Sequence, residues 1–242
     1  MGNIATDMEQ HKVGHFGFSA IGLDQLGATE YTLVDILIDV SSSTQGFSKE
    51  MESALQEIIK ACKFSPRSNN LLIRLVTFAT NSDEVHGYKL LSQCEISDYS
   101  NILQPCGMTS LFDVNVNGIE AQGNYAKQLT DQDYDVNGIL FCITDGYDTA
   151  SNLNPKEVAK VLQRVRAEER LESLVTVLVG VNPGDYGSYL QGFKNDANFD
   201  QYVETKDATA KILAKLADFV SQSISSQSQA IGSGAPSQPI QF

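Results

Sequence analysis

The chain has 242 residues, 42% of them hydrophobic and 19% charged, enough to bury a core as one α/β domain with appendages or as two small domains. Thirty acidic residues against 17 basic ones leave a formal net charge of −13. A field of that sign repels phosphate backbones and anionic lipid headgroups, which argues against nucleic acid and membrane surfaces as direct partners, and it favours cations.

In chain order, residues 1–12 are polar and read as loose. No basic segment followed by an apolar one opens the chain, so no secretory leader is expected, and no stretch reaches the ~20 apolar residues of a membrane-spanning helix. Gly2 and Thr6 fit a myristoylation pattern only formally. Residues 15–20 alternate aromatic and small side chains, as a short strand or arm would, and residues 22–29 read as a loop. Residues 32–44, T-L-V-D-I-L-I-D-V-S-S-S-T, are the organising stretch. An unbroken run of Val, Ile and Leu, interrupted by Asp35, reads as a strand buried on both faces, and it stops abruptly at Asp39.

Residues 47–64 place Phe47, Met51, Leu55, Ile58, Ile59 and Cys62 at helical spacing, and Pro66 closes that helix. Residues 71–79 form a second buried strand. Residues 85–91 follow too soon for a crossover helix and are expected as an antiparallel neighbour at the sheet edge. A loop through residues 105–110 opens a helix over 111–128, and residues 136–144 form a third buried strand ending in Asp145. A helix over 156–170, a strand over 174–181, a short helix over 186–193, a short strand over 201–204 and a helix over 208–223 complete the pattern. Alternation of this kind predicts a doubly wound, mostly parallel α/β sheet with one antiparallel edge strand and helices on both faces. The expected organisation is an N-terminal extension over 1–30, a domain over 31–223 and a flexible Ser/Gln/Gly/Pro-rich tail over 224–242.

Three separated pieces converge on one rim of that sheet. Asp39, Ser41 and Ser43 follow the first buried strand, Thr109 lies in the loop before the next helix, and Asp145 follows the third. Ligands bind open α/β sheets beyond the carboxyl ends of the strands, at the point where strand order reverses. An all-oxygen set suits a hard divalent cation better than zinc or copper, which favour His or Cys. The histidines His11, His15 and His86 share no helix face at ligand spacing. The cysteines Cys62, Cys94, Cys106 and Cys142 lack C-x-x-C spacing and read as thiols in a reducing compartment. Blander readings exist for each piece. Ser43 or Thr44 can cap the following helix, Asp145-Gly146 can be a plain turn, and Tyr147 reads slightly better as packing than as a contact. Asp113 and Asp148 read as solvated carboxylates, with support of the rim as the alternative.

Taken together, Asp39-x-Ser41-x-Ser43, Gly107-x-Thr109 and Thr144-Asp145-Gly146 resemble the metal-ion-dependent adhesion site of von Willebrand factor A domains, also called integrin I-like domains. Asp35 resembles the family's strand opening, and the similarity spans roughly residues 31–223. The resemblance implies Mg²⁺ or Mn²⁺, with Ca²⁺ ranked below them, held by the hydroxyls of Ser41, Ser43 and Thr109 and largely through water by Asp39 and Asp145. It also implies a protein partner that supplies an Asp or Glu to the remaining position. Ser42 and Met108 stand where the family often has Gly, and Met108 is expected to alter partner access. With no leader in view, the resemblance implies a cytoplasmic module in a larger assembly, on the analogy of members that work with AAA-type ATPases. The rivals are a structural subunit whose site only holds loops and a Mg²⁺-dependent phosphatase-like enzyme. The second lacks a proton shuttle, because Ser41 stands where Asp-x-Asp chemistry needs a second acid. No P-loop or dinucleotide-binding glycine pattern follows the first strand.

Overall fold

A strand apolar on both faces has to lie inside a sheet that helices cover, and residues 30–39 do so. The computed structural model describes residues 8–13 and 16–233. Its strands are β1 (Met8–Val13), β2 (Phe16–Ile21), β3 (Glu30–Asp39), β4 (Leu71–Phe78), β5 (Ser82–Leu90), β6 (Asp135–Thr144), β7 (Ser173–Val181) and β8 (Gln201–Thr205). The helices are α1 (Ser48–Lys63), α2 (Leu111–Thr130), α3 (Pro155–Ala167), α4 (Gly187–Asp196) and α5 (Ala210–Ser233). One sheet contains all the strands in the order β1-β2-β5-β4-β3-β6-β7-β8.

The sheet is the doubly wound, mostly parallel one that the sequence predicts. β3 runs parallel to β4 on one side and to β6 on the other, and β7 and β8 continue the parallel set. Alternation along β3 divides its side chains between two cores. Leu33 and Leu37 join the apolar faces of α2, α3 and α4, while Val34, Ile36 and Ile38 join those of α1 and α5. Helix α1 buries Met51, Leu55, Ile58, Ile59 and Cys62, a stripe at spacings of three and four whose large members each stabilise by about 1.5–3 kcal/mol. The chain leaves β3 through α1 toward β4, then returns from β5 through α2 to β6 on the other side. Strand order therefore reverses at the carboxyl end of β3, which opens a crevice there.

Several elements differ from expectation. β5 is antiparallel to β4 as expected, but it is not the edge, because the β1–β2 hairpin adds two strands outside it. Residues 8–12, read as loose, are paired from Met8↔Ile21 to Lys12↔Gly17. Tertiary contact holds this polar strand: His11 stacks on Phe18 with centroids 4.8 Å apart. Gly87 lets β2 approach, since a Cβ there would stand 1.9 Å from the Ser19 carbonyl oxygen. Helix α5 continues past residue 223 to Ser233, because Val220, Ile224 and Ser228 extend one buried stripe at four-residue spacing. The rest of the expected tail, and His15, lie outside the described residues.

A buried polar network joins the hairpin to the centre of the sheet. Arg74, in the middle of β4, donates to Asp35 at 2.9 Å, to Glu84 at 2.7 Å and to the Asn117 side-chain oxygen at 2.7 Å. Tyr88 donates to the other Asp35 oxygen, and Ser19 of β2 donates to Glu84 through its backbone N–H at 2.9 Å and through its hydroxyl. Burial would pull the Arg74 guanidinium toward neutrality, but Asp35, Tyr88 and Glu84 outweigh it and hold the proton more firmly. His86 is buried with Nδ1 2.9 Å from the Gly87 carbonyl oxygen, so that nitrogen carries the proton and Nε2 accepts from the Tyr99 hydroxyl. Burial lowers its pKa to about 4, so the ring is a neutral structural group. Among the described residues no helix is long and apolar enough to cross a membrane.

Candidate metal centre

Asp39 ends β3 at the crevice, buried, with both carboxylate oxygens engaged. Its Oδ1 accepts the Ser41 backbone N–H at 2.7 Å and its Oδ2 accepts the Thr144 hydroxyl at 2.6 Å. These two bonds hold the carboxylate in one orientation. The turn that follows is tightened by the Thr44 hydroxyl donating to the Ser41 carbonyl at 2.9 Å. Neither Ser43 nor Thr44 caps α1, whose N-cap is Phe47 with no side-chain hydrogen bond. The capping alternative is therefore set aside, and the two hydroxyls are used elsewhere.

Ser43 crosses to the neighbouring strand end and donates to Asp145 Oδ1 at 2.9 Å, while its oxygen lies 3.0 Å from the Ser41 hydroxyl. A hydroxyl has one proton, so Ser43 spends its own on Asp145 and Ser41 donates to Ser43. Lone pairs on both serine oxygens are thereby left available to a ligand. Adjacent ligands of an octahedral ion at 2.0–2.1 Å stand about 2.9 Å apart, so the two serine oxygens, 3.0 Å from each other, are close enough to serve as neighbouring ligands. Among the described residues no group of three or more His, Cys, Asp or Glu side chains is gathered for a metal. Two carboxylates with hydroxyls are a weak, hard donor set, which fits an ion that keeps some of its water.

Thr109 is brought to the same rim by its backbone. Its N–H donates to the Thr149 hydroxyl at 2.8 Å, and its carbonyl accepts from the N–H groups of Thr149 at 2.8 Å and Ala150 at 3.0 Å. The loop before it is stitched to the end of β3: Cys106 N–H donates to the Val40 carbonyl at 2.7 Å, and Ser42 donates to the Gly107 carbonyl through both its N–H and its hydroxyl. Ser42, in place of a glycine, thus fastens two rim loops together. Gly107 has φ +67°, and a Cβ there would meet Thr80 Oγ1 at 2.5 Å. Met108 is exposed at the rim.

The remaining carboxylates support the loops. Asp148 accepts from Phe112 N–H at 3.3 Å and Ser151 N–H at 3.2 Å, and Asp113 accepts from Asn152 N–H at 3.1 Å and Leu153 N–H at 3.0 Å. They hold the β6–α3 loop against the start of α2 reciprocally. Thr144 and Thr149 complete the frame; Thr144 belongs to the Thr144-Asp145-Gly146 piece at the end of the strand next to β3, whereas Thr149 carries no sequence signal. Burial pushes the Asp39 carboxyl up to about 6, against the pull of hydrogen bonds from Thr144 and Ser41 and with a further push from Asp145. Burial likewise raises Asp145, against the Ser43 hydrogen bond. Two buried carboxylates at one rim form a place where a cation is favoured.

A doubly wound sheet whose central strand ends in Asp-x-Ser-x-Ser beside a neighbour ending in Thr-Asp-Gly defines a von Willebrand factor A-like fold, and comparison with solved structures shows that fold. A mutant of the PilB minor pilin from Streptococcus sanguinis superposes with a TM-score of 0.61 at 14% identity, covering 89% of this chain and 66% of that one. The vWF domain of the type V pili tip protein Mfa5 from Porphyromonas gingivalis gives 0.55 at 12% identity, covering 89% of this chain and 99% of that one. Proximal thread matrix protein 1 from the mussel byssus, with a zinc-occupied MIDAS motif, gives 0.53 at 16% identity, covering 81% and 46%. The chain spans less than two thirds of the PilB chain and about half of the byssus protein. No family model and no curated protein matches the sequence. The expected cytoplasmic setting is corrected by these neighbours: pilins, pilus adhesins and a pilus tip protein are cell-surface or extracellular proteins. That expectation rests on seeing neither a leader nor a membrane-spanning stretch and on analogy with cytosolic members, and none of these says where a domain works.

Proposed function

We propose that the chain is a metal-dependent protein-binding module of the adhesion type, which takes an Asp or Glu side chain of a partner protein at the rim and catalyses no reaction. The observation that carries this reading is the hydroxyl chain Ser41–Ser43–Asp145 at 3.0 and 2.9 Å, beside a fixed Asp39. Ser41, Ser43 and Thr109 would hold Mg²⁺ or Mn²⁺ through their hydroxyls, with Asp39 and Asp145 acting largely through water. When bound, the ion supplies an electrophilic position that accepts a carboxylate. Asp39 and Asp145 neutralise it only formally, and the hydroxyls donate weakly, so this chain's own residues leave that position reactive. The zinc-occupied site of the byssus protein supports a divalent ion in this architecture. Ser41 in place of a second acid supports a reading without phosphotransfer.

The test is capture of partners from native extract in Mg²⁺, in EDTA, and in Mg²⁺ with Asp145→Ala. Partners retained only by the unmodified protein in Mg²⁺ are the expected result. A partner set identical under all three conditions would refute metal-bridged recognition.

A further inference from the structure

Beside the candidate metal centre lies an exposed aromatic cluster. Tyr147, two residues beyond Asp145, packs against Tyr186 with ring centroids 4.7 Å apart and against Tyr189 at 5.9 Å. The β7–α4 loop is turned by left-handed residues Asn182 (φ 49°) and Gly184 (φ 54°), and Tyr186 then lies over Gly146, its Cδ2 4.0 Å from where a Cβ would be. The cluster is thus built onto the residue next to a candidate ligand. Tyr147, Tyr186 and Tyr189 remain 41%, 44% and 38% exposed. Among the described residues six large apolar side chains are exposed, and these three plus Met108 are on this rim, so the exposure is concentrated here rather than scattered.

The charge of the same rim is one-sided. Residues 39–48, 104–113, 145–154 and 182–189 contain Asp39, Asp113, Asp145, Asp148 and Asp185 and no Lys, Arg or His. Five carboxylates exceed the charge of one divalent ion, so the surface around it remains negative. A second acidic side chain on the partner would be repelled, whereas a cation would be drawn in. Tyrosine faces are negative at their centres and bind ammonium and guanidinium groups, most readily the flat guanidinium.

We infer that the tyrosine cluster Tyr147–Tyr186–Tyr189 receives a cationic side chain, preferably Arg, that accompanies the metal-bound carboxylate in the same partner segment. The inference rests on the metal-dependent reading above and adds the chemistry of the neighbouring position. Such a pairing would let a chain of net charge −13 take an acid-bearing segment without admitting acidic proteins generally.

An array of capped Gly/Ser nonapeptides with one central Asp tests it, with Arg, Gln, Leu or Glu placed at each offset and binding read in Mg²⁺. At the offsets that reach the cluster, Arg peptides are expected to bind about tenfold better than Gln peptides, and Glu peptides worse. Peptides with Asn for the Asp should lose binding despite their Arg, which separates recognition from general attraction to an acidic protein. With Tyr147→Leu and Tyr186→Leu combined, the Arg preference should fall to within about twofold of Gln, whereas Phe at both positions should keep it. Leu peptides binding as well as Arg peptides, an Arg preference that survives the double Leu change, or a blank array would each overturn the inference. Mn²⁺ titration of the same sample separates the two failures: saturable ion binding leaves the metal reading standing, and no ion binding removes both.

Discussion

Lowering the pH from 7 to 5 is expected to weaken Mn²⁺ binding about tenfold. Asp39 is buried and its pKa is pushed up to about 6, so a proton removes, within an accessible range, the negative charge that would favour the ion through its water, and the ionised form is the binding-competent one. The apparent affinity is divided by one plus the ratio of protonated to ionised Asp39, which is about 1.1 at pH 7 and about 11 at pH 5. An ordinary aspartate with a pKa of ~3.9 would change the affinity by only about 8% over that interval. Burial also raises Asp145, which acts in the same direction. Calorimetric titration of Mn²⁺ at pH 7, 6 and 5 and constant ionic strength reads the effect, and a change of less than about twofold would refute the reasoning. The ion-free protein should show the matching dependence of stability. The native state holds the Asp39 proton more tightly than the unfolded chain, so in EDTA this group costs ~3 kcal/mol as pH rises from about 4 to about 6.

Other outcomes follow from named contacts. Arg74→Met removes the cation that pairs with both Asp35 and Glu84 and is expected to cost ~3–5 kcal/mol in urea unfolding, where a loss under about 1 kcal/mol would show the network to be replaceable. Gly107→Ala combines a left-handed backbone with a contact to Thr80 and should cost ~1–2 kcal/mol while shifting the loop that carries Thr109. Weaker Mn²⁺ binding should accompany it, and an unchanged affinity would mean that the loop yields without moving the site. Asn154→Ala removes a capping box from α3 and should cost about 1 kcal/mol in thermal unfolding.

What was legible in the sequence was whatever each strand carries at its own end. A Val/Ile/Leu run closed by Asp39-x-Ser41-x-Ser43 and another closed by Asp145 are local signals, and the doubly wound rule places them side by side before any coordinate is known. Thr109 could be placed on the same rim because a loop between a strand and a crossover helix has to return there. What was illegible depends on partners from distant segments. Arg74 looks like an intruder in Leu71–Phe78 until Asp35, Glu84 and Asn117 surround it from a strand, a strand and a helix. The β1 strand is polar, and only its pairing with β2 orders it. The Ser/Gln-rich end of α5 has poor helix propensity, but it lies against α1 and lends Ser228 to Arg67 at 3.2 Å. Tyr147 looks like ordinary packing because Tyr186 and Tyr189 reach it from the loop and the helix after the neighbouring strand.

The central claim, that the rim holds a divalent ion on Asp39, Ser41, Ser43, Thr109 and Asp145, is tested most directly by calorimetric titration of Mg²⁺ and Mn²⁺ into the unmodified chain and into Asp39→Ala combined with Thr109→Ala. Circular dichroism of both proteins checks that the fold is retained. The account predicts one saturable site in the unmodified chain and its loss in the double variant. No saturable binding in the unmodified chain, or equal binding in a folded double variant, would contradict it.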